Sequence, residues 1–165
     1  MSGFTPKQNA YWLAAVTLTL LTIDARSAGD VKFPEGYRSW RHVNTMIVTK
    51  DSPLFEVIGG MHIIHVNPAG EAALETNGPY PNRTIFVSDL HDFTLKDGSY
   101  SEGALKGVSL MVKDSELYAS TGGWGFEFFV DGDANKRLVT NPTKQCFECH
   151  QAVKNQDYVY STYIR

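Results

Sequence analysis

Cys146-Phe147-Glu148-Cys149-His150, close to the C-terminal end of a 165-residue chain, is the stretch from which the rest is best read. Two thiols three apart, followed at once by an imidazole, form the C-x-x-C-H pattern of covalent c-type haem attachment. Each cysteine sulfur adds across one haem vinyl group to make a thioether. On a helix, positions i, i+3 and i+4 share a face, so His150 is presented to the iron from the side that carries both sulfurs. The expectation is one haem c per chain, bound through Cys146 and Cys149, with His150 as the metal ligand.

Two other chemistries use paired cysteines. A zinc site needs two further ligands. With no third cysteine in the chain, these would be His150 and one of His42, His62, His65 or His91. A thiol redox pair needs no histidine there and normally sits early, after a strand, in a βαβ pattern. A disulfide between the two would close a very short loop. Haem attachment accounts for all three residues at once.

Composition supports an exported globular domain. Hydrophobic residues make up 42% and aromatic ones 12%, with a formal net charge of -3, which suits one ordinary folded domain. There is no basic run, hence no reason to expect a nucleic-acid partner. The first 28 residues read as a secretion signal. Lys7 supplies positive charge, Tyr11 to Ile23 is apolar apart from threonines, and Ala25-Arg26-Ser27-Ala28 offers small residues for cleavage. The apolar run is shorter than the ~20 residues that span a bilayer, so an uncleaved membrane anchor is the lesser reading. Residues 29–165 are then a haem domain, expected in the periplasm.

Upstream of the motif the periodicity is that of strands. Val43 to Val48, Met61 to Val66, Thr84 to Leu90 and Val108 to Val112 each read as a strand. Trp124, Phe126, Phe128 and Val130 alternate with Gly125, Glu127 and Phe129, the period of a strand with one well-buried face. Short helices are expected at Pro34 to Trp40, after Asn67-Pro68 until Gly78, and from Asp114-Ser115 through Ala119. The glycine-containing polar piece from His91 to Gly103 reads as a loop or irregular hairpin, and Tyr158 to Ile164 as a closing strand or extended tail. The fold class is α+β, mainly antiparallel β-sheet with short helices, ending in a C-terminal haem-binding helix.

That arrangement excludes the familiar cytochrome designs. Only fifteen residues follow His150, and none is methionine. Small helical electron-transfer cytochromes carry the motif near the N-terminus and an axial methionine downstream. Helical-bundle cytochromes c′ have a C-terminal motif but four long helices, which this body lacks.

The order of motifs resembles the cytochrome P-460 family and its relatives, the cytochromes c′-beta. It is carried by Phe33-Pro34-Glu35-Gly36-Tyr37-Arg38-Ser39-Trp40, by His62 to Leu90 with Val66-Asn67-Pro68 and Gly78, by Val112-Lys113-Asp114-Ser115 leading to Gly123-Trp124-Gly125-Phe126, and by the closing haem motif. The resemblance implies a mainly antiparallel β fold, a homodimer, and a c-haem whose iron is left open opposite the motif histidine. The hydroxylamine-oxidising cytochromes P-460 carry a haem-cross-linking lysine in the helix after the Val-Asp/Asn-Pro strand. Here Glu75 or Thr76 falls at that position, and no lysine occurs between Lys50 and Lys96. The resemblance is therefore stronger to the cytochromes c′-beta, which bind small gaseous ligands such as nitric oxide.

Three functional classes follow. The first is a binder of nitric oxide or another small diatomic. The second is a haem oxidoreductase acting on hydroxylamine or nitric oxide, which leaves open whether the protein is an enzyme. The third is an electron carrier with a redox partner protein, which needs a sixth ligand from His42, His62, His65 or His91. His62 and His65 lie three apart on one strand and so face opposite sides; local hydrogen bonding is the commoner role for such residues. Phe55, Phe86, Phe93 and the Trp124/Phe126/Phe128 face are candidate walls for the haem, though an aromatic stripe is more often plain core.

Overall fold

The computed structural model describes residues 31–163, and the targeting segment expected at 1–28 lies outside the described residues. Five strands form one antiparallel sheet in sequence order: β1 Arg41–Val48, β2 Gly60–Val66, β3 Ile85–Lys96, β4 Ser99–Lys113 and β5 Trp124–Val130. Three short α-helical pieces accompany them, α1 Phe55–Ile58, α2 Pro68–Leu74 and α3 Glu148–His150. This is the expected α+β architecture.

The pleat divides the sheet into two faces, because successive side chains point to opposite sides. Register assigns them. Across the front run Asn44, Ile64, Ser88, Ser109 and Phe128, and in the next row Arg41, Val66, Phe86, Met111 and Phe126. Across the back run His42, His65, Val87, Leu110 and Glu127, then Thr45, Ile63, Asp89, Val108 and Phe129. Each face has its own core. The back core joins Val87, Val108, Leu110 and Phe129 to Val31 and Tyr37 of the preceding segment. The front core joins Val66, Phe86, Trp124 and Phe126 to Leu74 of α2, Tyr80 and Val159, with Cys146, Phe147, Tyr158 and Tyr163 packed at its margin.

A buried ion cluster pins the N-terminal segment to the back. The Tyr37 hydroxyl donates to the Asp89 carboxylate. Arg38 adds a two-point contact at 3.0 and 3.2 Å. Asp89 sits mid-sheet and only 3% exposed, so these donors supply what water would otherwise give it.

Of two readings left open for residues 91–103 the irregular hairpin holds, and three other local expectations are corrected. Residues 91–103 belong to the long hairpin of β3 and β4. Its turn is Asp97-Gly98, with φ of 51° and 77°, the two-residue geometry that matches strand twist. Irregularity is confined to register shifts around His91. β5 is buried on both faces, since Phe129 and Glu127 are as enclosed as Trp124; the N-terminal segment covers the side expected to face solvent. The segment from 114 to 118 is made of turns, with Asp114 Oδ1 accepting from the Glu116 and Leu117 amides, and only Ala119–Thr121 is a 3-10 turn. Asn67 stands before α2 but does not cap it with its side chain. Its amide bridges to β3, accepting from Ile85 N at 3.0 Å and donating to Arg83 O at 2.8 Å.

After β5 the chain crosses the front of the sheet from one edge to the other. Residues 136–138 pair with β5 through Lys136 O and Leu138 N. At the far edge Asn44 Nδ2 donates to Thr162 O, and Arg41 meets the Tyr163 hydroxyl. After a turn at Asp157-Tyr158, the strap from Val159 to Tyr163 makes no strand pairing among the described residues. Between these anchors lies the motif.

Candidate functional site

The motif begins where Asn141-Pro142 turns the strap into a helix. Asn141 Oδ1 accepts the Lys144 amide, and Gln145 Oε1 accepts the amides of Thr140 and Asn141, so the first turn is closed by side chains. The helix is irregular throughout. Thr143–Phe147 is a π turn, α3 follows, and Gln151–Gln156 tightens to 3-10 with a kink at Val153. Cys146 lies in the π turn, whereas Phe147, Glu148, His150 and Gln151 keep α-helical backbone angles, so Cys149 and His150 stand on a regular helical turn and Cys146 on a wider one.

The three side chains differ in setting. Cys146 is half-buried against the front core, and Cys149 is exposed; both are free thiols. Burial, then the charges of Glu127 and Cys149, push the Cys146 thiol up to about 11. His150 is half-buried between the rings of Phe126 and Tyr160, with centroids 5.1 and 5.3 Å away. Its Nδ1 lies 2.7 Å from the Tyr158 carbonyl oxygen. A carbonyl only accepts, so Nδ1 carries the proton and Nε2 is left with its lone pair. Burial lowers the imidazole pKa below its ordinary value, opposed by the Tyr158 carbonyl, and so favours the neutral ring.

These residues fit a haem bound by two thioethers and one nitrogen. The thiols are unpaired, the imidazole keeps its Nε2 lone pair free, and the front face of the sheet is unfinished. Ser88, Ser109, Met111 and Phe128 on the front face are only partly covered, Met46 is 42% exposed, and the buried oxygens Asn44 Oδ1 and Tyr80 Oη have no hydrogen-bond partner. Gly107 shapes this bed: a Cβ there would lie 2.3 Å from the Phe128 ring, so only glycine lets that ring fold across β4.

A family model described as Cytochrome P460 matches residues 34–161, most of the chain. The chain belongs to the cytochrome P460 family. It is thus a haem protein of the P460/c′-beta type, as the motif order implied. No curated protein matches it.

The histidines considered as sixth ligands in this P460-family chain are dispersed. His62 is on the front, but Nε2 donates to Ile58 O at 2.8 Å and Nδ1 faces Ser88 Oγ at 3.1 Å, so both nitrogens are engaged. His65 is on the back beside His42, ring centroids 5.8 Å apart, and its buried Nδ1 has no partner. His42 bonds Thr45 Oγ1, and His91 bonds Gly103 O at 3.1 Å. Among the aromatic candidates, Phe86, Trp124 and Phe126 do belong to the core that meets Cys146. Phe55 and Phe93 instead line a separate groove of about 370 Å³ that contains no motif residue.

Sequence reasoning missed two contributors. Tyr158 acts through its backbone carbonyl, which leaves no mark in residue identity. Met111 packs against the same core as Cys146, a neighbourhood the sequence did not display. Its register opposite Phe126 was legible only after the pairing of β4 with β5 was known.

Proposed function

We propose that this protein is an exported c-type cytochrome whose haem iron keeps one side open for nitric oxide or another small diatomic. Cys146 and Cys149 form the thioethers, and His150 supplies the one protein ligand through Nε2. The observation that carries the reading is the Nδ1 contact to the Tyr158 carbonyl, which fixes the ligating tautomer within the attachment motif. The bound haem would supply an iron centre able to take up a neutral diatomic. The chain holds the imidazole and shields it with Phe126 and Tyr160.

The helix that would bring the cross-linking lysine of the hydroxylamine-oxidising branch has none. Thr76 directs its hydroxyl to the carbonyls of Ala73 and Gly78. A conventional haem c is therefore the reading preferred over a cross-linked one, and hydroxylamine oxidation is not expected. Electron transfer is the second reading, and Met111 is the observation favouring it, since its thioether lies in the core that borders Cys146. Periplasmic location, one haem per chain and a homodimer complete the proposal.

Electron paramagnetic resonance of the ferric protein tests it. High-spin iron near neutral pH, with uptake of nitric oxide or carbon monoxide by the ferrous form, is the expected result. A dominant low-spin signal abolished in Met111→Leu or in one histidine variant transfers the protein to electron transfer. A far-red ferrous band with a third covalent haem bond transfers it to the oxidising branch. N-terminal sequencing of the mature protein and sedimentation analysis check export and dimerisation.

A further inference from the structure

Asp157 and Tyr158 are the only adjacent non-glycine residues with positive φ among the described residues, at 51° and 66°. Side chains disfavour that region, tyrosine more than aspartate, and such a conformation persists only where its surroundings over-determine it. Here they do. Lys113 Nζ meets Asp157 Oδ1 at 2.7 Å, and the Tyr80 amide donates to Oδ2 at 2.8 Å. The Trp124 indole donates to the Asp157 carbonyl at 2.8 Å, and the amides of Asp157 and Tyr158 reach Lys154 O and Val153 O. Lys113 also lies 4.8 Å from the centre of the Trp124 ring, and the ion pair is about nine-tenths buried on both sides. The Tyr158 ring lies over Gly122, where a Cβ would come within 2.5 Å.

All polar groups of Asp157 are thus spent, on partners from β4, β5 and the turn after α2. The one backbone group in this strained pair left to face the motif is the Tyr158 carbonyl, and it accepts from His150 Nδ1. We infer that Lys113 and Asp157 form a clamp that positions the proximal imidazole: it locks the Tyr158 carbonyl against Nδ1, sets the ring's orientation and strengthens the nitrogen's donation. The inference rests on His150 being the iron ligand. Neither clamp residue touches the iron, so both are positioning residues. A carbonyl held rigidly against Nδ1 gives the imidazole partial anionic character, which strengthens the iron bond and favours the ferric state.

The test uses the haem-loaded protein and the charge-neutral double variant Lys113→Gln/Asp157→Asn, so that no unpaired charge shifts the potential by itself. Resonance Raman of the ferrous form should show a lower iron–histidine stretching frequency than in the wild type. The potential should rise by about 59 mV, a tenfold shift in the one-electron equilibrium. Lys113→Arg should restore wild-type values. The wild type supplies a readout independent of any variant: the His150 Nδ1–H of its cyanide adduct should exchange slowly with solvent. A haem-loaded double variant with the wild-type frequency and potential, or a fast-exchanging Nδ1–H, overturns the clamp and leaves the proposed function standing. A wild-type protein with no iron–histidine band overturns both.

Discussion

The two faces of the sheet are closed by different means. The back is finished by the chain's own N-terminal segment, with Val31, Tyr37 and Phe129 nearly inaccessible and Asp89 fully supplied with donors. The front is crossed by an irregular strap and keeps Met46, Ser88, Ser109, Met111 and Phe128 partly open; buried polar atoms without a partner occur on both sides, Asn44 Oδ1 and Tyr80 Oη here and His65 Nδ1 on the back. Equal alternation in the strands therefore produces a stability core on one side and an incomplete surface on the other. The difference lies in what the connecting segments bring, and the front is the side that receives the two thiols and His150.

Removing the attachment chemistry should separate the faces most sharply. Cys146→Ala with Cys149→Ala is expected to abolish haem retention entirely, whereas denatured wild-type protein keeps its haem through acidic organic extraction. Haem leaving the wild type in that extraction, or zinc found in its place, would end the assignment.

The back face should respond in the opposite sense. Asp89→Ala strands the buried Tyr37 hydroxyl and unpairs Arg38, and removing one partner from such a cluster costs about 3 kcal/mol. Urea titration should record that loss while the haem spectrum stays unchanged. A spectral change of the same rank as in the cysteine variant would show that the faces are not separable.

Trp124 lies in the front core and touches the strap, so Trp124→Phe probes their junction. It withdraws the indole donor from the Asp157 carbonyl at a cost of about 1 kcal/mol. Amide exchange should quicken in residues 153–159 and not in β3, and uniform quickening would contradict a local junction.

The smallest effect concerns protons. Burial holds His62 below its ordinary value of 6.5, outweighing the Ile58 carbonyl. The unfolded chain then binds the extra proton first, so this stabilisation is present above about pH 6.5 and is lost as pH falls through the lower folded value. Unfolding free energy should decline below pH 6.5 in the wild type and decline less in His62→Gln. Equal slopes would remove His62 from the account.

Much of this was legible beforehand because it is written in local pattern. Apolar, β-branched runs located four strands and alternation the fifth, and the C-x-x-C-H spacing marked Cys146, Cys149 and His150 as one unit. The misses have physical causes. A period-two pattern reports that one face is apolar but not whether a distant segment covers the other, which is how Phe129 and Glu127 were misjudged. The polarity of residues 91–103 left loop and irregular hairpin both open, although Asp97-Gly98 was a signal for the hairpin. The carbonyl of Tyr158 and the clamp at Asp157 depend on backbone angles and on partners 44 and 77 positions away, which a single sequence does not display.

The crossing strap also has a consequence for the order of events during folding. Each strand of the sheet pairs with its neighbour in the chain, so the meander needs no residue beyond β5 to assemble. The five strands can therefore close their ladder while the motif and the strap are still undocked. Until they dock, Cys146 stands clear of the core that half-buries it in the folded chain. If the cysteines carry the proposed thioethers, the finished sheet with its front still open is the state in which both thiols are reachable together.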